Sequence, residues 1–318
     1  MAKLDLKEAE NSRLELTTAQ QLSIKSLYKQ LIKRITKDIK KLSTSELISA
    51  VIKRQQLKSI QKSLKKGLES IGKDVNFLIR QSMTSMVHNV VKSNKKFFGR
   101  VGLPRMLIAE AFSNLPTDIV ESVASGQVYK GKWTLDKAIW KDVVKKKDDI
   151  NKIVAEGIAL NKSTYDIAKD LETYVDPDAA KPWDWNKVYP GTAKQIDYNA
   201  QRLARTMVSH AYQQAFDATV DPNPFVEGVQ WNTAHSHNRV CEVCKKRASE
   251  DNYGMGKGIY PKGKEPLDHP NGMCYLTAVI PDSLEDIAKQ IKAWTNGQEN
   301  KALDNFAEAI RPGWNTKQ

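Results

Sequence analysis

Cysteine is scarce in this chain: Cys241, Cys244 and Cys274 are the only three in 318 residues. Three thiols are too few, and of the wrong parity, for a disulfide framework, so a small stapled secreted scaffold is not expected. Long apolar runs are also missing. No stretch approaches the roughly 18–20 residues that span a bilayer. The opening "MAKLDLKEAENSRLELTTAQ" has no apolar centre of the kind a secretory signal needs, so a cytoplasmic start is expected. Aromatic residues are 8% of the total, and only Tyr28 falls between Lys25 and Lys66, which argues against base stacking there. No internal repeat is found.

What the chain does have is positive charge in one place. The net charge is +13, and residues 1–100 carry 22 Lys/Arg against 8 Asp/Glu, so the remainder is close to neutral. Between Lys25 and Lys66 there are 13 basic and 2 acidic residues. Such a field attracts polyanions: nucleic acid, an acidic protein surface or anionic lipid. Lys25, Lys29, Lys33, Arg34, Lys37, Lys40 and Lys41 fall mainly opposite the apolar stripe of a first helix. Lys53, Arg54, Lys58, Lys62, Lys65 and Lys66 continue along a second. These residues would neutralise phosphates without reading bases, giving sequence-independent, salt-sensitive contact with double-stranded DNA. An acidic protein partner or a plain solvated face are the other readings of the same run.

Apolar spacing of three and four predicts helix throughout the first two thirds. Ile24, Leu27, Tyr28, Leu31, Ile35, Ile39 and Leu42 mark the first helix, with Thr17/Gln20 or Thr18/Gln21 as a capping box. Ser43 with Glu46 suits a second box, beginning a helix with Leu47, Val51, Leu57, Ile60, Leu64, Leu68 and Ile71. Gly67 and Gly72 are expected to weaken its end, with a third helix from about 75 to 98. The middle region is helical as well, with Ser163 and Asp166 at one start. A loop with Trp183 and Trp185, read as packing or interface anchors, leads to a helix over about 192–219 with Leu203, Met207, Ala211 and Phe216 inward. Strands are expected at "FVEGVQWNT" and "CYLTAVI", and helices at about 283–294 and 298–310. The fold class is mainly α: long helical N-terminal and middle regions followed by a small α+β C-terminal domain. Four segments are expected: 1–103 as a basic arm, 104–180, 181–282, and a helical tail at 283–318.

All three thiols lie within that C-terminal domain, in the pattern C-x2-C-x24-H-x4-C formed by Cys241, Cys244, His269 and Cys274. Three thiolates and an imidazole make a closed tetrahedral zinc set. Such an ion would staple two segments across a loop, "SEDNYGMGKGIYPKGKE", with little apolar surface to bury, and so contribute folding energy directly. Packed thiols without an ion and redox chemistry are the alternatives; His235 or His237 can also replace one ligand.

At these residues the sequence resembles the head-morphogenesis family of tailed phages typified by the F protein of phage Mu. The motifs are "RLARTMVSHAYQQAF" with Arg202 and Arg205, "VQWNTAHSHNRVCEVCKKRA" with Trp231, and "LDHPNGMCYL" with His269, Pro270, Asn271 and Cys274. The match covers about residues 190–280. It departs from the family pattern at Gly272, where many members have cysteine. The resemblance implies a non-catalytic minor capsid protein, a virion component inside the head near the portal vertex, assembled in the host cytoplasm. Its implied partners are the portal protein and also scaffold or major capsid protein, with packaged DNA facing the basic arm. Two other functions compete: an HNH-like metal-dependent nuclease, and a non-phage zinc-containing DNA-binding protein.

Overall fold

The computed structural model describes residues 7–43, 50–131, 133–233 and 240–310. Helix dominates. In chain order the elements are α1 (Lys7–Ser43), α2 (Ala50–Arg100), α3 (Arg105–Glu110), α4 (Leu115–Ser125), a 3-10 turn (Gln127–Tyr129), α5 (Leu135–Ala159), α6 (Thr164–Val175), α7 (Trp185–Val188), α8 (Tyr198–Val220), β1 (Gly228–Asn232), α9 (Glu242–Ser249), β2 (Ile259–Tyr260), β3 (Tyr275–Val279), α10 (Leu284–Thr295) and α11 (Lys301–Ala309). The mainly helical fold with a small sheet near the C-terminus is as expected.

Several boundaries differ from the expectation. The first helix begins at Lys7, ten residues before the proposed capping box. Thr17 is inside it, its hydroxyl donating to the Arg13 carbonyl at 2.7 Å rather than capping. Ser43, expected to open a new helix with Glu46, is the last residue of α1, while Glu46 lies outside the described residues, as do His235 and His237. The expected second and third helices are one helix of 51 residues. Gly67 and Gly72 do not end it, because neighbouring side chains sit where a Cβ would be. A Cβ at 67 would be 2.4 Å from Leu31 Cδ1, and one at 72 would be 2.8 Å from Val143 Cγ2. Each glycine lets a neighbouring helix come close, which repays its weak helix propensity.

Contacts divide the chain into two compact units, each assembled from separated segments. One comprises Thr18–Ile79 and Lys130–Ala204. Within it α1 and α2 form an antiparallel pair: Gln20 Nε2 donates to the Leu78 carbonyl at 3.4 Å, and Leu31 packs on Gly67. Ile24, Tyr28, Leu31, Ile35 and Ile39 of α1 are buried together with Leu57, Ile60, Leu64, Leu68, Ile71 and Val75 of α2. Helix α5 lies along α2 through Val143 at Gly72, and Gln61 bonds Asn151 at 2.9 Å. Its N-cap is Thr134, and Ser163 caps α6 by accepting from Asp166 N at 3.1 Å, as the sequence suggested. Lys146, only 2% exposed, donates to Tyr28 Oη at 2.6 Å and pairs with Asp142. A buried cation is tolerated only with such partners. Trp185 is buried, donating to Thr192 Oγ1 at 2.9 Å, whereas Trp183 is 85% exposed.

The other unit comprises Met1–Thr17, Arg80–Tyr129 and Arg205–Gln318. Its helical core includes Met83, Met86, Val87, Val90 and Phe98 of α2, with Phe98 against Phe306 at 4.7 Å between ring centroids. The sheet has the order β2-β1-β3, both pairings antiparallel. Trp231 faces Leu276 across β1 and β3, and both are buried. The Arg247 guanidinium of α9 lies 4.8 Å from the Trp231 ring centroid. The Cys-x-x-Cys opens a helix, α9, and the loop "SEDNYGMGKGIYPKGKE" contains the short strand β2.

Candidate metal centre

Cys241 is the N-cap of α9, and its sulfur accepts the Cys244 N–H at 3.4 Å. The cap puts both sulfurs of the Cys-x-x-Cys on one side of the helix start. His269 arrives from the far side of the loop, with Nε2 at 3.3 Å from Cys241 Sγ and 3.2 Å from Cys244 Sγ. Its other nitrogen, Nδ1, is 3.1 Å from the Pro270 carbonyl. A proton on Nδ1 donated to that carbonyl leaves the Nε2 lone pair facing the two sulfurs, the arrangement a metal-bound imidazole needs. Cys274 immediately precedes β3. The donors therefore gather as two overlapping triads, Cys241–Cys244–His269 and Cys244–Asp268–Cys274, with all ligand atoms in each within 4.8 Å of one another. The cluster Cys241/Cys244/His269/Cys274 is able to hold a metal ion.

Electrostatics favour ionisation at one end of the cluster. The Cys244 backbone N–H, then His269, hold the Cys241 thiol below its usual range. Burial and the neighbouring thiols of Cys274 and Cys241 push Cys244 up. Burial opposes charge on His269, but the Pro270 carbonyl, Asp268 and Cys241 outweigh it and raise its pKa. Three thiols around an imidazole with no cation make an unbalanced set, and a divalent ion would convert them to bound thiolates.

The turn that delivers His269 has Pro270 second and Asn271 third, the latter at φ 68°, and closes with Gly272 N donating to the His269 carbonyl at 2.9 Å. This is the proline and left-handed-residue pattern of a type II turn. One polar stripe of α8 holds the whole approach. Arg205 Nη1 donates to Asn271 Oδ1 at 2.9 Å, and Thr206 Oγ1 accepts from Asn271 N at 2.9 Å. Ser209 Oγ donates to the Gly272 carbonyl at 3.2 Å, and His210 Nε2 is 3.0 Å from the Asp268 carbonyl. Gln213 Nε2 donates to the Pro266 carbonyl while its Oε1 accepts from Asp268 N, both at 2.9 Å. Arg205 thus has a structural task at the His269 turn; Arg202 is exposed.

Sequence reasoning missed this stripe, although Arg205, Ser209 and Gln213 recur every four residues in a helix it had read by its apolar face. It also missed Arg13. That residue is 1% exposed, donating to Ser209 Oγ at 3.2 Å and to the Met273 carbonyl at 2.9 Å. The start of the supposed basic arm is therefore built into the packing behind the metal turn. No local signal in the first helix marks it.

Of the thirteen basic residues between Lys25 and Lys66, Lys25, Lys53 and Lys65 are half-buried and the rest exposed. Lys25 and Lys29 both pair with Asp178, and Lys65 bonds Asn151. Lys33, Arg34, Lys37, Lys53, Arg54, Lys58, Lys62 and Lys66 make no ion pair among the described residues. They form exposed stripes on α1 and α2, with Arg34 and Lys66 bordering the seam beside Leu31, Ile35 and Gly67.

No family model, curated protein or solved structure matches this chain.

Proposed function

We propose that this chain is a minor capsid protein of a tailed phage, a non-catalytic head-morphogenesis component associated with the portal inside the head. The observation that carries this reading is the convergence of Cys241, Cys244 and His269 at 3.2–3.3 Å, with Cys274 beside them, on a turn clamped by α8. Thiolates and imidazole favour zinc in a tetrahedral site. A closed set of that kind joins α9 to the approach of β3, which is a structural task. The exposed stripes of Lys33, Arg34, Lys37, Lys58, Lys62 and Lys66 suit non-specific contact with packaged duplex DNA.

The test is particle composition. Procapsids and mature heads of the phage carrying this sequence should contain the protein in few copies, co-purifying with the portal and carrying one zinc per chain. Absence of the protein from both particles would sink the capsid assignment, whatever its metal content.

A further inference from the structure

A fifth donor side chain stands at the cluster. Asp268 belongs to the second donor triad with Cys244 and Cys274. It is 6% exposed, and its Oδ2 has no hydrogen-bond partner among the described residues. Leaving a buried carboxylate oxygen unmatched costs on the order of 1–3 kcal/mol, so such an atom calls for a partner. The rest of the residue is held firmly. Oδ1 accepts from His269 N at 2.8 Å, the backbone N–H donates to Gln213 and the carbonyl lies against His210. Only Oδ2 is left over, and the backbone aims it. On its other side is Gly272, where a Cβ would be 2.0 Å from that oxygen. The chain keeps that space free of any side chain.

We propose that Asp268 is a metal ligand, and that Asp268 Oδ2 and Cys274 Sγ are alternative donors for the fourth position of an ion whose other three are Cys241, Cys244 and His269. This rests on the zinc reading above. Zinc accepts carboxylate oxygen at about 2.0–2.2 Å as readily in geometry as sulfur at about 2.3 Å, so either group completes a tetrahedron. A centre built this way keeps its ion when Cys274 is lost or modified, whereas among the described residues no further donor stands beside Cys241.

The test uses the full chain loaded with Co2+, whose absorption separates thiolate charge transfer from the ligand-field bands of a tetrahedral site. Cys274→Ala should keep one equivalent of Co2+ and its tetrahedral bands, with reduced charge transfer and an affinity loss within about tenfold; adding Asp268→Asn should then cost more than about 100-fold. A double variant that binds as tightly as Cys274→Ala alone would overturn the proposal and leave Oδ2 to the small cavity lined by Ser209, Gln213, Trp231 and Cys274. Complete metal loss in Cys274→Ala, as in Cys241→Ser, would overturn it too. Asp268→Asn alone gives a second reading that does not depend on the double variant folding. With its competitor gone, Cys274 in the metal-loaded protein should be alkylated about tenfold more slowly by iodoacetamide; an unchanged rate counts against alternative ligation. If the unaltered chain takes up no Co2+ or Zn2+ at all, the metal reading itself falls, a result distinct from failure of Asp268 alone.

Discussion

Gly272 lies directly against the carboxylate of Asp268, so close that a Cβ would be 2.0 Å from Oδ2, 2.3 Å from Cγ and 2.4 Å from Oδ1. No rotation of a flexible tip relieves this, because Asp268 is tied at its backbone N–H and carbonyl and at Oδ1. Gly272→Ala should therefore destabilise the C-terminal part of the chain by about 1–3 kcal/mol, the usual range for overpacking. Its metal affinity should fall as the carboxylate is displaced. Thermal melting with and without zinc measures both effects; an unchanged melting temperature would mean the turn relaxes freely.

Cys241→Ser separates ligand loss from fold damage. Cys241 is exposed, and its sulfur accepts the cap bond from Cys244 N, which serine makes at least as well. The metal-free variant should melt within about 0.5 kcal/mol of the metal-free parent, as for other exposed substitutions. The difference should appear only on adding zinc, which should raise the melting temperature of the parent and leave the variant unmoved. Equal zinc stabilisation of both proteins would remove Cys241 from the ligand set.

His210 supplies the pH dependence. Burial holds its pKa down to about 4 from an ordinary value of 6.5, against the pull of the Asp268 carbonyl. Below the unfolded value the unfolded chain binds a proton that the native imidazole refuses. Its contribution is thus complete above pH 6.5 and is lost as the pH falls from 6.5 toward 4. Over that window the loss approaches about 3 kcal/mol, at about 1.4 kcal/mol for each unit of pKa difference. Denaturant melts of metal-free parent and His210→Gln between pH 4 and 7 should show the parent weakening more steeply on acidification. Parallel curves would mean that the imidazole is protonated in the native protein.

The basic stripe of α2 is tested by charge, not by truncation. Removing the first hundred residues would also remove Arg13 and the buried end of α2, both part of the unit that holds the metal turn. In the full chain, Lys58, Lys62 and Lys66 are exposed and free of ion pairs among the described residues, so neutralising them should leave the fold intact. Lys58→Ala with Lys62→Ala and Lys66→Ala should weaken binding to duplex DNA of any sequence. The slope of log K against log salt should become shallower by up to about 0.9 per lost phosphate contact, or about 3 in all. A mobility shift series from low to moderate salt reads this directly; an unchanged slope would direct the stripe to a protein partner instead.

Much of the architecture was legible from local pattern. The cap at Ser163 and the strand around Trp231 each depend on residues within a few positions of one another. Spacing of that range is set by backbone geometry and reads the same in sequence and structure. Gly67 and Gly72 were misread for the complementary reason. Their weak propensity is local, but the close approach of Leu31 and Val143 that offsets it comes from residues 36 and 71 positions away.

The sequence by itself determined the helical character, the concentration of charge in the first third and the thiol-and-imidazole set, since periodicity, composition and donor chemistry are properties of residue types and their order. Tertiary structure alone decided that Arg13 lies behind Met273, that a polar stripe of α8 grips the His269 turn, and that Asp268 faces the sulfurs. The first two of those contacts join segments 53 to 260 residues apart, and their stability comes from burial that exists only once the chain has closed on itself.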